Sequence, residues 1–262
     1  MTSRRTNALD ARRTNYLDAL GAIINPPKRN GRSTGGTLQP PAQRFWHLVR
    51  TYRAIAAASQ KTFDVAATLA GRHGDSSDYV LNGVIFLARE HPEKATYNRS
   101  FGNALNALMP NNHDEIFLLL KELAEIDKNA ANIAANTSMG PVFRSLIRHG
   151  DAQKVEELFI DIVVRNLSLA MKNPQTPWVI ESLANQGLLS GAYAIFGGID
   201  YRYLETLIVE NNHWQKAVVA VGRSLGLKTA GKQAVRDLAD LFSDVGNALK
   251  EQGPIESPVT QR

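Results

Sequence analysis

One stretch, residues 139–171, does more than any other to limit what this chain can fold into. It reads as two helices joined by a tight turn. Pro141 suits the first turn of a helix, and Gly150 suits the left-handed residue that closes one. Asp151 is placed to cap the next helix through its carboxylate. In that second helix Val155, Leu158, Phe159, Ile162 and Val163 follow the i, i+3, i+4, i+7, i+8 spacing of a buried face. Val164, Leu167, Leu169 and Met171 carry apolar surface well past one stripe. A helix that is apolar on several sides has neighbours around it. It is therefore expected at the centre, with the rest of the fold packed on it. Asn166 is the odd polar residue in that surface and is expected to bond a neighbouring helix or reach solvent.

The same helical period runs along the chain. Phe45, Leu48, Val49, Tyr52, Ile55 and Ala56 predict one long helix over 44–70. Trp46 is expected to seat that helix on the core. Val80, Leu81, Val84, Ile85 and Leu87 predict the next helix, which ends at His91-Pro92. Tyr97, Phe101, Leu105 and Leu108 predict a single helix over 93–108. Ile116, Leu119, Leu120, Leu123 and Ile126 follow, with Asp114 and Glu115 in a first turn that favours acids. Later stripes lie at 178–184, ended by Gly187, then at 188–196, 200–208, 214–225 and 230–250. No alternating β-branched run bounded by hairpin turns is present. The sum is roughly ten helices with short joints. The expected fold class is all-α: a multi-helix bundle or a short, irregular, solenoid-like array of helical hairpins, with a flexible basic N-terminal arm.

Charge sets the domain organisation. The net charge is +5, and up to Arg44 eight Lys and Arg stand against two Asp, so the excess belongs to the N-terminus. Residues 1–43 read as a flexible basic arm, 44–252 as one helical domain and 253–262 as a tail. Within the arm, Leu9, Tyr16, Leu17, Leu20, Ile23 and Ile24 suit a short amphipathic helix near 10–24, stopped by Pro26-Pro27. A Gly-, Ser- and Thr-rich linker follows.

Two short motifs recur. Arg-His-Gly-Asp stands at 72–75 and 148–151, and Asn-Asn-His at 111–113 and 211–213. Their flanks do not align and their spacings differ. Both therefore read as helix ends favouring the same residues rather than as duplication.

The chain has no cysteine, which excludes disulfides, thiolate nucleophiles and cysteine zinc sites. The N-terminal arginines have no apolar run behind them, and no segment approaches the roughly 18 apolar residues of a spanning helix. A cytoplasmic protein with no membrane span is expected. The six histidines are scattered, without i, i+4 metal spacing, and no Gly-x-Ser-x-Gly elbow occurs. No metal, cofactor or catalytic residue is expected. Glu156, Glu157 and Asp161 read as a solvated face with Arg165.

Residues 226–233 fit phosphate-loop spacing until Gln233, which has no hydroxyl for magnesium. The loop would also need 218–221 to be a strand, and those residues keep helical spacing. The same stretch resembles a helix-turn-helix, with Val221, Leu225, Val235 and Leu238 packing and Arg223, Lys228, Lys232 and Arg236 facing a duplex. It departs from that pattern at Lys232, where an apolar residue belongs. Two antiparallel helices with a basic edge explain it as well.

The functional expectation is a non-enzymatic binding protein. Arg4, Arg5, Arg12, Arg13, Lys28, Arg29 and Arg32 would engage nucleic acid or another polyanion, while the helical body engages a protein partner or itself. The alternative is a protein–protein adaptor, regulator or delivered effector with no nucleic-acid role.

Overall fold

The computed structural model describes residues 2–25, 39–71, 77–196, 206 and 212–226. Among them are 15 α-helices and no strand, so the chain is all-α. The helices are α1 (Thr2–Ile24), α2 (Pro41–Thr51), α3 (Arg53–Ala58), α4 (Gln60–Ala70), α5 (Ser77–Glu90), α6 (Pro92–Tyr97), α7 (Phe101–Leu108), α8 (His113–Ala124), α9 (Asp127–Ala135), α10 (Met139–His149), α11 (Ala152–Arg165), α12 (Leu167–Lys172), α13 (Thr176–Ala184), α14 (Ser190–Phe196) and α15 (Asn212–Ser224). A short 3₁₀ turn, Met109–Asn111, extends α7.

Contacts cluster into two compact units, Met1–Asp151 and Ala152–Arg262, where the sequence suggested one domain over 44–252. The boundary falls inside the stretch expected to be central. Its two helices, α10 and α11, belong to different units. The second also stops at Arg165. Asn166 leaves the helical region and turns its amide back onto the Ile162 carbonyl at 2.9 Å. Apolar surface on several sides thus marks two short helices with separate faces. Val164 and Leu169 remain exposed. Gly150 is not left-handed: its φ is −108°. Among the described residues the left-handed glycines are Gly187 and Gly226, just past the ends of α13 and α15.

In the first unit a repeat governs the architecture. A short helix ends in Ser or Asn with extended backbone, and a tight turn starts a longer helix. The turn residues are Ser59, Asn98, Asn136 and, in the second unit, Asn173, at intervals of 39, 38 and 37 residues. Each accepts at its carbonyl from the amide three residues on, at Thr62, Phe101, Met139 and Thr176, over 3.0–3.1 Å. The three asparagines add an Asx turn, their Oδ1 accepting from Ser100, Ser138 and Gln175 N–H at 3.0 Å. This local bonding competes with helix and breaks it. It also explains why the predicted helix over 93–108 is divided at Asn98, while the one over 44–70 is divided at Tyr52 and Ser59.

Equivalent helices stack in three layers: α3, α6 and α9; α1, α4, α7 and α10; α2, α5 and α8. Neighbouring repeats are bonded through their turns. Asn136 Nδ2 donates to the Thr96 and Asn98 carbonyls at 3.0 and 2.9 Å, and Gly102 N–H donates to Ser138 Oγ at 3.1 Å. Between the middle-layer helices, Phe63 and Phe101 meet edge to face at 5.4 Å.

Helix α1 belongs to this stack. Of its predicted stripe, Tyr16, Leu20 and Ile23 are buried, Leu17 and Ile24 are half-buried and Leu9 is exposed. The Tyr16 hydroxyl pairs with Thr62 Oγ1 at 2.6 Å. Burying a phenol penalises its anion, so the Tyr16 pKa is raised, with the Thr62 bond opposing. Residues 16–23 of the arm therefore pack on the body rather than standing free of it, because their apolar stripe covers the first repeat. Trp46 seats α2 as expected, edge-on to Phe86 at 5.7 Å.

In the second unit α11 packs on α14, and α13 on α15. Val155, Phe159, Ile162, Ile180, Leu183 and Trp214 are buried there. Glu156 corrects the expectation of a solvated acidic face. It is 4% exposed and accepts from Gly191 N–H at 2.9 Å, at the start of α14. The Asp161–Arg165 pair forms as expected.

Candidate functional site

The repeated turns of the first unit line an open groove of about 690 Å³. Its walls are the C-terminal ends of the short helices and the first turns of the longer ones. Gln60, Lys94, Tyr97, Arg99, Asn132 and Thr137, with the turn residues Asn98 and Asn136, supply its polar side chains, and no carboxylate lines it. Tyr97 closes α6 and is 78% exposed. Sequence spacing placed it on one stripe with Phe101, but Asn98 breaks the helix between them and turns the ring outward. Lys94 lies one turn before Tyr97, and Arg99 two residues after it. Neither forms an ion pair among the described residues, whereas the neighbouring Glu93 is taken by Lys128 at 2.8 Å. Asn132 is held by the Thr96 hydroxyl, to which its Nδ2 donates at 3.1 Å. The lining thus offers two cations, amides and one bare aromatic face. That chemistry suits phosphates and planar bases.

His91 stands just before α6, with its Nε2 buried and without a hydrogen-bond partner. Its pKa is lowered, chiefly by burial, then by the Lys94 ammonium; Glu90 opposes this and Arg53 adds to it. A histidine whose folded pKa lies below its unfolded value contributes stability above the unfolded pKa and loses it as pH falls through the folded one. The chain is therefore expected to lose stability from about pH 6.5 downward. The loss should be smaller in His91→Gln. Urea midpoints of both proteins between neutral and mildly acidic pH check this, and equal slopes contradict it.

Five of the residues proposed from sequence lie among the described ones. Arg4 and Arg5 lie on α1. Arg12 and Arg13 are exposed on the same helix, in the first unit. Arg223 is exposed at the end of α15, in the second. Lys28, Arg29, Arg32, Lys228, Lys232 and Arg236 lie outside the described residues, as do the helix expected over 230–250 and the second half of the helix-turn-helix. Residues 218–221 are helical, within α15, so the strand a phosphate loop requires is absent there. No three His, Asp or Glu side chains converge on a possible metal position among the described residues. No described helix is long and apolar enough to cross a membrane.

Sequence reasoning missed Lys94, Tyr97, Arg99 and Asn132. The available signal was the Asn-x-Ser pair at 98–100 and 136–138, which repeats at the structural interval. The chain matches no protein-family model, no curated protein and no solved structure.

Proposed function

We propose that this chain is a non-enzymatic binding protein whose helical repeats hold a single-stranded nucleic acid in the groove of the first unit. The observation that carries this is the groove lining: Lys94 and Arg99 flank an exposed Tyr97, with no carboxylate among them. The ammonium and guanidinium meet phosphates, and the tyrosine stacks a base. Solenoids present extended binding surfaces of this kind. Arg4, Arg5, Arg12, Arg13, Lys28, Arg29 and Arg32 add phosphate contacts that position the strand without reading its sequence.

Fluorescence anisotropy with labelled single-stranded RNA and DNA, over a range of salt, tests the reading. Affinity is expected to fall steeply with salt. The double variant Lys94→Ala/Arg99→Ala should bind at least tenfold more weakly, with a log–log salt slope shallower by about 1.4, at about 0.7 per phosphate contact. Tyr97→Ala should cost about 1–3 kcal/mol of binding. Absence of binding at low salt, or unchanged affinity in the double variant, rejects it.

A further inference from the structure

Two exposed apolar faces in the first unit have complementary surroundings. The first is on α1. Its buried stripe of Tyr16, Leu20 and Ile23 continues toward the N-terminus to Leu9, which is 61% exposed. At seven residues before Tyr16, Leu9 lies on the same helix face. The stripe therefore outruns the cover its own unit provides. Arg12 and Arg13 are exposed beside Leu9, and Arg5 precedes it by one turn in sequence.

The second face is on α8. Leu118 is 60% exposed at mid-helix, and Ile126 is 54% exposed just past its end. Ile126 has extended backbone and starts the turn into α9, so it stands at the C-terminal end of the helix that carries Leu118. Glu115, Leu118, Glu122 and Glu125 share this side at helical spacing, and all are exposed. Lys121, the one lysine of α8, is also exposed on this side at i+3 from Leu118, against the three carboxylates. Glu122 is held by Arg89 at 2.9 Å, while Glu115 and Glu125 enter no salt bridge among the described residues. One face is apolar with arginines around it, and the other is apolar with carboxylates around it.

We infer that the α1 face of one copy docks on the α8 face of a second copy of this chain. Leu9 then packs between Leu118 and Ile126, and Arg12 and Arg13 meet Glu115 and Glu125. Leucine supplies burial, and opposite charges steer and orient the encounter. The two surfaces differ, so the contact is heterologous and each copy keeps one donor and one acceptor face. Association of this type continues head to tail unless rotation closes it.

Sedimentation velocity of the full chain, free of nucleic acid, tests this separately from the groove. The native chain is expected to form species larger than a monomer as concentration rises. The association should weaken roughly tenfold from low to high salt, because exposed charges are screened. Leu9→Asp and Leu118→Asp each disable one face at an exposed position, and circular dichroism verifies that both variants remain folded. Alone, each should stay monomeric. Mixed, they should give a 1:1 complex, since one variant retains the acceptor and the other the donor. A native chain that is monomeric throughout overturns the inference. So do variants that assemble as the native chain does, or a mixture that stays monomeric.

Discussion

Replacing Tyr16 with alanine is expected to cost about 4 kcal/mol, the range for deleting a buried aromatic ring. Tyr16 is fully buried, lies 5.5 Å from the Tyr52 ring and shares a 2.6 Å hydrogen bond with Thr62. The alanine variant removes the ring and leaves the buried Thr62 hydroxyl without that partner. Tyr16→Phe removes the bond alone and should cost about 1 kcal/mol. The structural consequence is specific, because Tyr16, Leu20 and Ile23 anchor α1. In Tyr16→Ala the helix should detach, and trypsin should cut after Arg12 and Arg13 many times faster than in the native chain. Cleavage rates and urea midpoints check both parts. Native-like protection in the alanine variant contradicts the docked position of α1.

Gly102→Ala is the second large effect. The backbone of α7 passes so close to the following repeat that a Cβ at Gly102 would overlap the Ser138 carbonyl and hydroxyl. The obstacle is largely backbone, so no side-chain rotation relieves it. The turn must move, and the Gly102 N–H bond to Ser138 Oγ is lost with it. A destabilisation of about 3 kcal/mol is expected from overpacking together with the broken bond. Adding Ser138→Ala should restore little, since the Ser138 carbonyl stays in place. Thermal midpoints of the single and double variants check this. A single variant within about 0.5 kcal/mol of native contradicts the close approach.

Helical class and the apolar faces were legible because burial imposes the 3.6-residue period on each helix. The stripe of Tyr16, Leu20 and Ile23 is one instance, and that of Ile116, Leu119, Leu120 and Leu123 another. Helix breaks were not legible from that period. Asn98 and Asn136 interrupt helices through Asx turns, yet apolar residues on both sides still face one core, so the stripe reads as continuous across the break. Tyr97 was assigned to the core for this reason. Glu156 was misread because its partner, the Gly191 N–H, lies 35 residues away and no local spacing announces it. The helical repeat was hidden by its small signature: four turn residues, one of them serine, with unlike helices between. Arg12 and Arg13 were legible as basic surface. The groove residues come from separate repeats that only the stacking brings together.

Ultraviolet crosslinking of the full chain to a single-stranded, uridine-rich RNA, followed by mass spectrometry of the tryptic peptides, tests the groove most directly. A stacked aromatic is well placed to crosslink to a base. The expected adduct lies on the peptide that begins at Ala95, contains Tyr97 and ends at Arg99. The Tyr97 adduct should disappear in Tyr97→Ala and weaken in Lys94→Ala/Arg99→Ala, where it is sought on the longer tryptic peptide 90–121. Adducts confined to the second unit or to the N-terminal segment, with none at Tyr97, would contradict a nucleic-acid site in this groove.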